Sequence, residues 1–151
     1  MRNDDVIQSV RYMLDISNSK LAEIIELGGY KPSGEELAHI FDKSEDKEDV
    51  SDELTAHFLD GLIFYKRGKS DKHPPRPIKI PVTNNMVLKK LRVAFKLREN
   101  DILKILKSVG FKISSSELNA FFRDEKHRNY HPAGDQVLRY FLKGLTEKLR
   151  G

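Results

Sequence analysis

The residues of this chain that could do chemistry are mostly cations. Lys89, Lys90, Arg92, Lys96 and Arg98 run along one expected helix, Lys104, Lys107 and Lys112 follow, and Arg123, Lys126, His127 and Arg128 close the series. At that spacing residues 89, 92 and 96 share one side of a helix, so several cationic groups can line a phosphate path. Asn119 and Arg123 suit a phosphate backbone or a base edge. Tyr130 and His131 could stack on an exposed base. The candidate nucleic-acid-binding set is therefore Lys89, Arg92, Lys96, Asn119, Arg123, Lys126, Arg128 and Tyr130. Its competitor is a lysine-rich face that merely keeps the protein solvated.

Other chemistries find less support. His127, His131 and Asp135 stand four apart, and on a helix they would turn three ligands toward one metal. Pro132 and Gly134 make that stretch a loop, so no metal is expected. His39 and His57 read as half-buried helix residues. With no cysteine, a disulfide, a thiolate nucleophile and a cysteine-ligated zinc are excluded. No nucleophile elbow is present. The glycines come singly or as Gly28-Gly29, so no loop cradles phosphate. The expectation is a protein without catalysis or cofactor. Two stretches, Leu21 to Phe41 and Ile102 to Phe122, could be helix-turn-helix pairs. Gly28 to Pro32 is longer than the usual 3–4-residue turn, and Glu35, Glu36 and Asp42 would repel phosphate. An ordinary helical hairpin is the simpler reading.

These residues are positioned by a duplicated unit. Shifted by 81 positions, Asn3, Val6, Arg11, Ile24, Gly29, Lys31, Ser33, Glu36, Leu37 and Phe41 meet identical residues from Asn84 to Phe122. After a two-residue gap, Asp52, Phe58, Leu59, Gly61 and Leu62 meet Asp135, Phe141, Leu142, Gly144 and Leu145. Arg11 and Arg92 thus recur, and a carboxylate from the opposite unit is the expected partner of each.

Each copy carries four helical signals. Asn3 and Asn84 are the expected first caps, followed by apolar residues at helical spacing (Val6, Val10, Met13; Val87, Leu91, Ala94). Second helices end at Gly28-Gly29 and Gly110, with Tyr30 and Phe111 folding back. Ser33–Glu36 and Ser114–Glu117 are capping boxes. The fourth helices hold Gly61 and Gly144 in their interiors, which suggests close helix crossings. The expected fold is all-α: two tandem four-helix repeats, 1–66 and 83–151, related by a pseudo-twofold axis. A basic linker, 67–82, joins them, and His73-Pro74-Pro75-Arg76-Pro77 makes it extended and polyproline-like.

The net charge of +4 conceals an asymmetry. Asn3 to Tyr65 holds 15 acidic and 5 basic residues, whereas Asn84 to Gly151 holds 7 acidic and 15 basic. Oppositely charged halves favour each other, within one molecule or between molecules, and the basic half also favours a polyanion. No apolar run nears the ~20 residues of a membrane span, and no apolar leader follows Met1. A soluble cytoplasmic protein is expected.

Val10 to Asp15, Leu21 to Tyr30, His57 to Arg67, Thr83 to Phe95 and Phe141 to Leu145 closely resemble the bacterial YehS-like proteins, a domain-of-unknown-function family. The resemblance covers essentially the whole chain. It implies a bacterial, cytoplasmic, two-repeat helical protein and brings no catalytic residues with it. Two functions remain: RNA or DNA (or ribonucleoprotein) binding through the basic second repeat, or interaction with a protein partner or with itself. No small-molecule substrate and no membrane partner are indicated.

Overall fold

A computed structural model describes residues 1–68 and 77–151. The polyproline-like stretch His73-Pro74-Pro75-Arg76 lies outside the described residues. Eight helices are present among those described: α1 Asn3–Leu14, α2 Asn18–Leu27, α3 Gly34–Phe41, α4 Asp52–Arg67, α5 Asn84–Ala94, α6 Glu99–Ser108, α7 Ser115–Phe122 and α8 Asp135–Arg150. The chain is all-α, in two tandem units of four.

Local chemistry sets the helix ends. Ser17 and Ser51 accept from the amides of Lys20 and Leu54, and both capping boxes form around Ser33 and Ser114. Gly29 and Gly110 take left-handed φ values of 100° and 82°. The amides of Tyr30 and Phe111 then reach back to Ile25 and Leu106, which satisfies carbonyls the helix leaves open. The expectation for Asn3 and Asn84 is corrected. Arg2 occupies the first cap without a side-chain bond, and Thr83 caps α5 through Met86 N. Both asparagines lie one residue inside and donate sideways instead. Asn3 Nδ2 reaches Val50 O at 2.8 Å and Asp52 Oδ1 at 2.7 Å. Asn84 Nδ2 reaches Ala133 O at 3.0 Å and Asp135 Oδ1 at 2.9 Å. The asparagine repeats because it ties the first helix of each unit to the fourth.

Within each unit the second helix packs on the fourth, α2 on α4 and α6 on α8. Between units the first helix packs on the opposite fourth, α1 on α8 and α5 on α4. One core results, with Phe58 and Phe141 fully buried at equivalent places. The interior glycines mark close crossings, as expected. A Cβ on Gly61 would stand 1.8 Å from Ile24 O, and one on Gly144 would stand 2.6 Å from Ile105 O.

Four polar contacts between the units form two matched pairs. Asp52 accepts from Val82 N at 3.1 Å, and Asp135 accepts from the Met1 amino group at 2.7 Å. Arg67 donates to Val93 O at 3.2 Å, and Arg150 to Tyr12 O at 2.8 Å. Each member maps on its twin under the repeat register, which is what a pseudo-twofold axis requires.

Arg11 and Arg92 correct another expectation. Their guanidinium carbons stand 5.0 Å and 4.6 Å from the ring centres of Phe41 and Phe122. The repeated arginine covers an aromatic ring of its own unit's third helix, a cation–π contact, and not a carboxylate of the other unit.

His39 and His57 are half-buried, as expected. His57 Nδ1 lies 2.8 Å from Gly28 O and its ring stacks on Tyr30. Phe111 stacks on Tyr140 at the equivalent place. Tyr30 differs from Phe111 by its hydroxyl, which donates to Glu36. That bond, helped by burial and the carboxylate charge, pushes the phenol up to about 12. The same bond holds the Glu36 carboxyl below its usual range. A phenol whose folded pKa is raised adds stability in full below its ordinary value of 10.0, and the gain is lost as pH rises toward about 12. The carboxylate's share is present above its ordinary value of 4.5 and lost as pH falls through its lowered folded value. Tyr30→Phe should therefore flatten the alkaline decline of the urea midpoint across that window, while the wild type keeps it.

Candidate nucleic-acid interface

The second unit presents its cations outward. Lys89, Lys96, Arg98, Lys104, Lys107, Lys112, Arg123, Lys126 and Arg128 are all exposed. None of them forms an ion pair among the described residues. Lys89 stands on α5. Arg123 is the C-cap of α7 with extended backbone. Lys126 and Arg128 lie in the α7–α8 connection, which bonds to itself: Asp124 Oδ1 accepts from Lys126 N at 2.8 Å, and His127 Nδ1 accepts from Asn129 N at 3.0 Å. Arg123, Lys126 and Arg128 are thus brought together on one short connection.

Other members of the predicted set do less. The expectation that residues 89, 92 and 96 share one helix side fails at Lys96. Helix α5 ends at Ala94, and Lys96 takes a left-handed φ of 53° beyond the cap. Arg92 is half-buried, with its Nε donating to Leu97 O at 3.2 Å and its guanidinium over Phe122. Asn119 is half-buried and its Nδ2 approaches Glu99 at 3.4 Å. Tyr130 is half-buried. The His131 ring stacks on Phe121 at 6.1 Å, so it braces the loop rather than standing clear of it. Lys90 is consumed within the molecule, 2.6 Å from Asp60 on α4. His127, His131 and Asp135 do not converge: no group of three metal-ligating side chains gathers among the described residues.

Sequence reasoning passed over one feature. An open groove of ≈ 900 Å³ runs between α1 and α8, with Tyr12, Arg139, Lys143 and Arg150 along it. Its signal lay in the repeat itself. The twin of Ser9 is Lys90 and the twin of Lys143 is Asp60, so the ion pair that closes α5 against α4 has no counterpart here. No helix among the described residues is long and apolar enough to cross a membrane.

A family model described as "Protein of unknown function (DUF1456)" matches residues 3–68 and again 84–151. The chain is 40% identical over 151 residues to a protein of Escherichia coli (strain K12) described as "Uncharacterized protein YehS", covering 98% of this chain and 96% of that one. No solved structure gives a significant match.

Proposed function

We propose a function for a chain that belongs to the DUF1456 family: it binds nucleic acid, without catalysis, through the cations of its second unit. The observation that carries this is the exposed set on α5, the end of α7 and the α7–α8 connection, which forms no ion pair among the described residues. Cations not engaged in an ion pair are available to phosphate, and the release of counterions on contact drives association. The acidic first unit repels the same polyanion and confines it to one end. A cytoplasmic location accompanies this reading.

Salt titration of binding to generic RNA and DNA tests it. The logarithm of the affinity should fall with the logarithm of salt at roughly −0.7 to −0.9 per phosphate neutralised. Reversing Arg123, Lys126 and Arg128 to glutamate should weaken binding across sequences and cut the slope by about one per residue. Absence of binding at low salt would remove the proposal.

One observation favours a second reading, interaction with a protein partner or with another copy. Opposite charges already meet between the units at Lys90–Asp60 and, at 3.6 Å, Arg150–Asp15. Sedimentation at low and high salt separates self-association from a monomer.

A further inference from the structure

We infer that the groove between α1 and α8 takes a single-stranded segment of nucleic acid, with a base stacked on Tyr12 and its phosphates along α8. The inference rests on the nucleic-acid reading and adds a second site and a strand preference. The duplication supplies an internal control. At the twin interface the space is closed by Lys90 and Asp60, 2.6 Å apart, and Ile63 and Phe64 stand at the places equivalent to Thr146 and Glu147. On the open side these become Ser9, Lys143, Thr146 and Glu147. A long side chain is replaced by a short one, two apolar residues by polar ones, and a carboxylate by an ammonium. The result is a groove of ≈ 900 Å³ over a Leu142 floor, within the size range of ligand sites.

The charges suit a strand. Arg139, Lys143 and Arg150 recur at intervals of four and seven, so they share one side of α8 over a rise of roughly 16 Å. Glu147 is the side-chain carboxylate among the lining residues, which also include Gly151, and Asp15 lies 3.6 Å from Arg150. Neither Lys143 nor Arg139 forms an ion pair among the described residues. Tyr12 is 62% exposed, the most exposed large apolar residue among those described. Arg150 covers one face of its ring at 4.3 Å and bonds its carbonyl, which fixes the ring and leaves its other face for a base. An aromatic platform beside a cationic row is how unpaired bases and their backbone are gripped together. Carboxylates alone would use the cationic row and leave the Tyr12 ring without a partner.

The full chain carrying Tyr12→Trp provides the test, since the protein contains no other tryptophan. Oligothymidylate should quench its emission, and the same sequence annealed to its complement should not. Tyr12→Ala should weaken oligothymidylate roughly tenfold, the worth of one stacked base, with duplex binding unchanged. Lys143→Glu should also reduce affinity for the single strand more than for the duplex. The exposure of both positions keeps these variants folded, which a thermal melt checks. If oligothymidylate binds while the emission stays constant, the groove assignment fails and the second-unit reading stands. If neither form binds, both fail. If polyglutamate displaces oligothymidylate at equal charge concentration, the groove reads charge alone and the inference is overturned.

Discussion

Gly61→Ala will destabilise the protein by about 3 kcal/mol, at the upper end for forcing an extra methyl group into a packed core. Taken alone, the exchange favours the helix by about 1 kcal/mol. That gain is overwhelmed because the new Cβ would stand 1.8 Å from Ile24 O and 2.9 Å from Gly28 N. Both neighbours are backbone, so no rotamer change relieves the clash and α2 must move off α4. Moving it opens the core around Leu21, Ile25 and Phe58. The melting temperature should fall by about 10 °C. Gly144→Ala should cost less. Its nearest atoms, the carbonyl oxygen and a methyl of Ile105, are 2.6 Å away against 1.8 Å at Gly61, so the helices need to part less. Gly34→Ala is the control, because nothing lies within 4 Å of that site. Calorimetry on the three variants checks the order. A Gly61→Ala protein that melts with the wild type would contradict the packing described for α2 and α4.

Lys47→Met will cost about 2 kcal/mol, within the range for removing a charged hydrogen-bond donor from a half-buried network. The Lys47 side chain is 6% exposed and its Nζ meets Asp4 Oδ1 at 3.1 Å. It also donates to His39 O at 2.7 Å and Ile40 O at 3.1 Å. Methionine fills similar space and offers none of these donors, so a carboxylate that is 16% exposed loses its counterion. The second unit solves the same problem without charge. Asn85, the twin of Asp4, donates to Phe121 O at 3.1 Å, and Phe121 is the twin of Ile40. Adding Asp4→Asn to Lys47→Met should therefore recover a large part of the loss. Chemical denaturation of both variants measures it, and equal midpoints for the single and double variants would refute the assignment.

Much of the architecture was legible because the chain states it twice. A periodic apolar pattern fixes a helix only loosely, but the same pattern after 81 residues, with serine and glycine at the same ends, leaves little choice. Gly61 and Gly144 could be read as crossings because a buried glycine inside a helix needs a reason. What escaped was partner choice. Asn3 has the chemistry of a cap, and nothing local says that it reaches Asp52 instead. Arg11 has the chemistry of an ion pair, and only the fold places Phe41 beneath it. Lys96 lost its place on the helix because α5 stops before it. On the functional side, the exposure of Arg123, Lys126 and Arg128 followed from a polar loop without periodicity. The α1–α8 groove did not, since it depends on which surfaces of distant segments fail to match.

The crosswise pairing of Asp52 with Val82, Asp135 with Met1, Arg67 with Val93 and Arg150 with Tyr12 makes each half the other's missing wall. Cut apart, neither would keep its opening helix covered, whereas two like halves could shelter one another. The molecule has the geometry of a homodimer fused into a single polypeptide. Fusion frees such a pair from having to stay identical, and one seam could open into a groove while its mirror remained sealed.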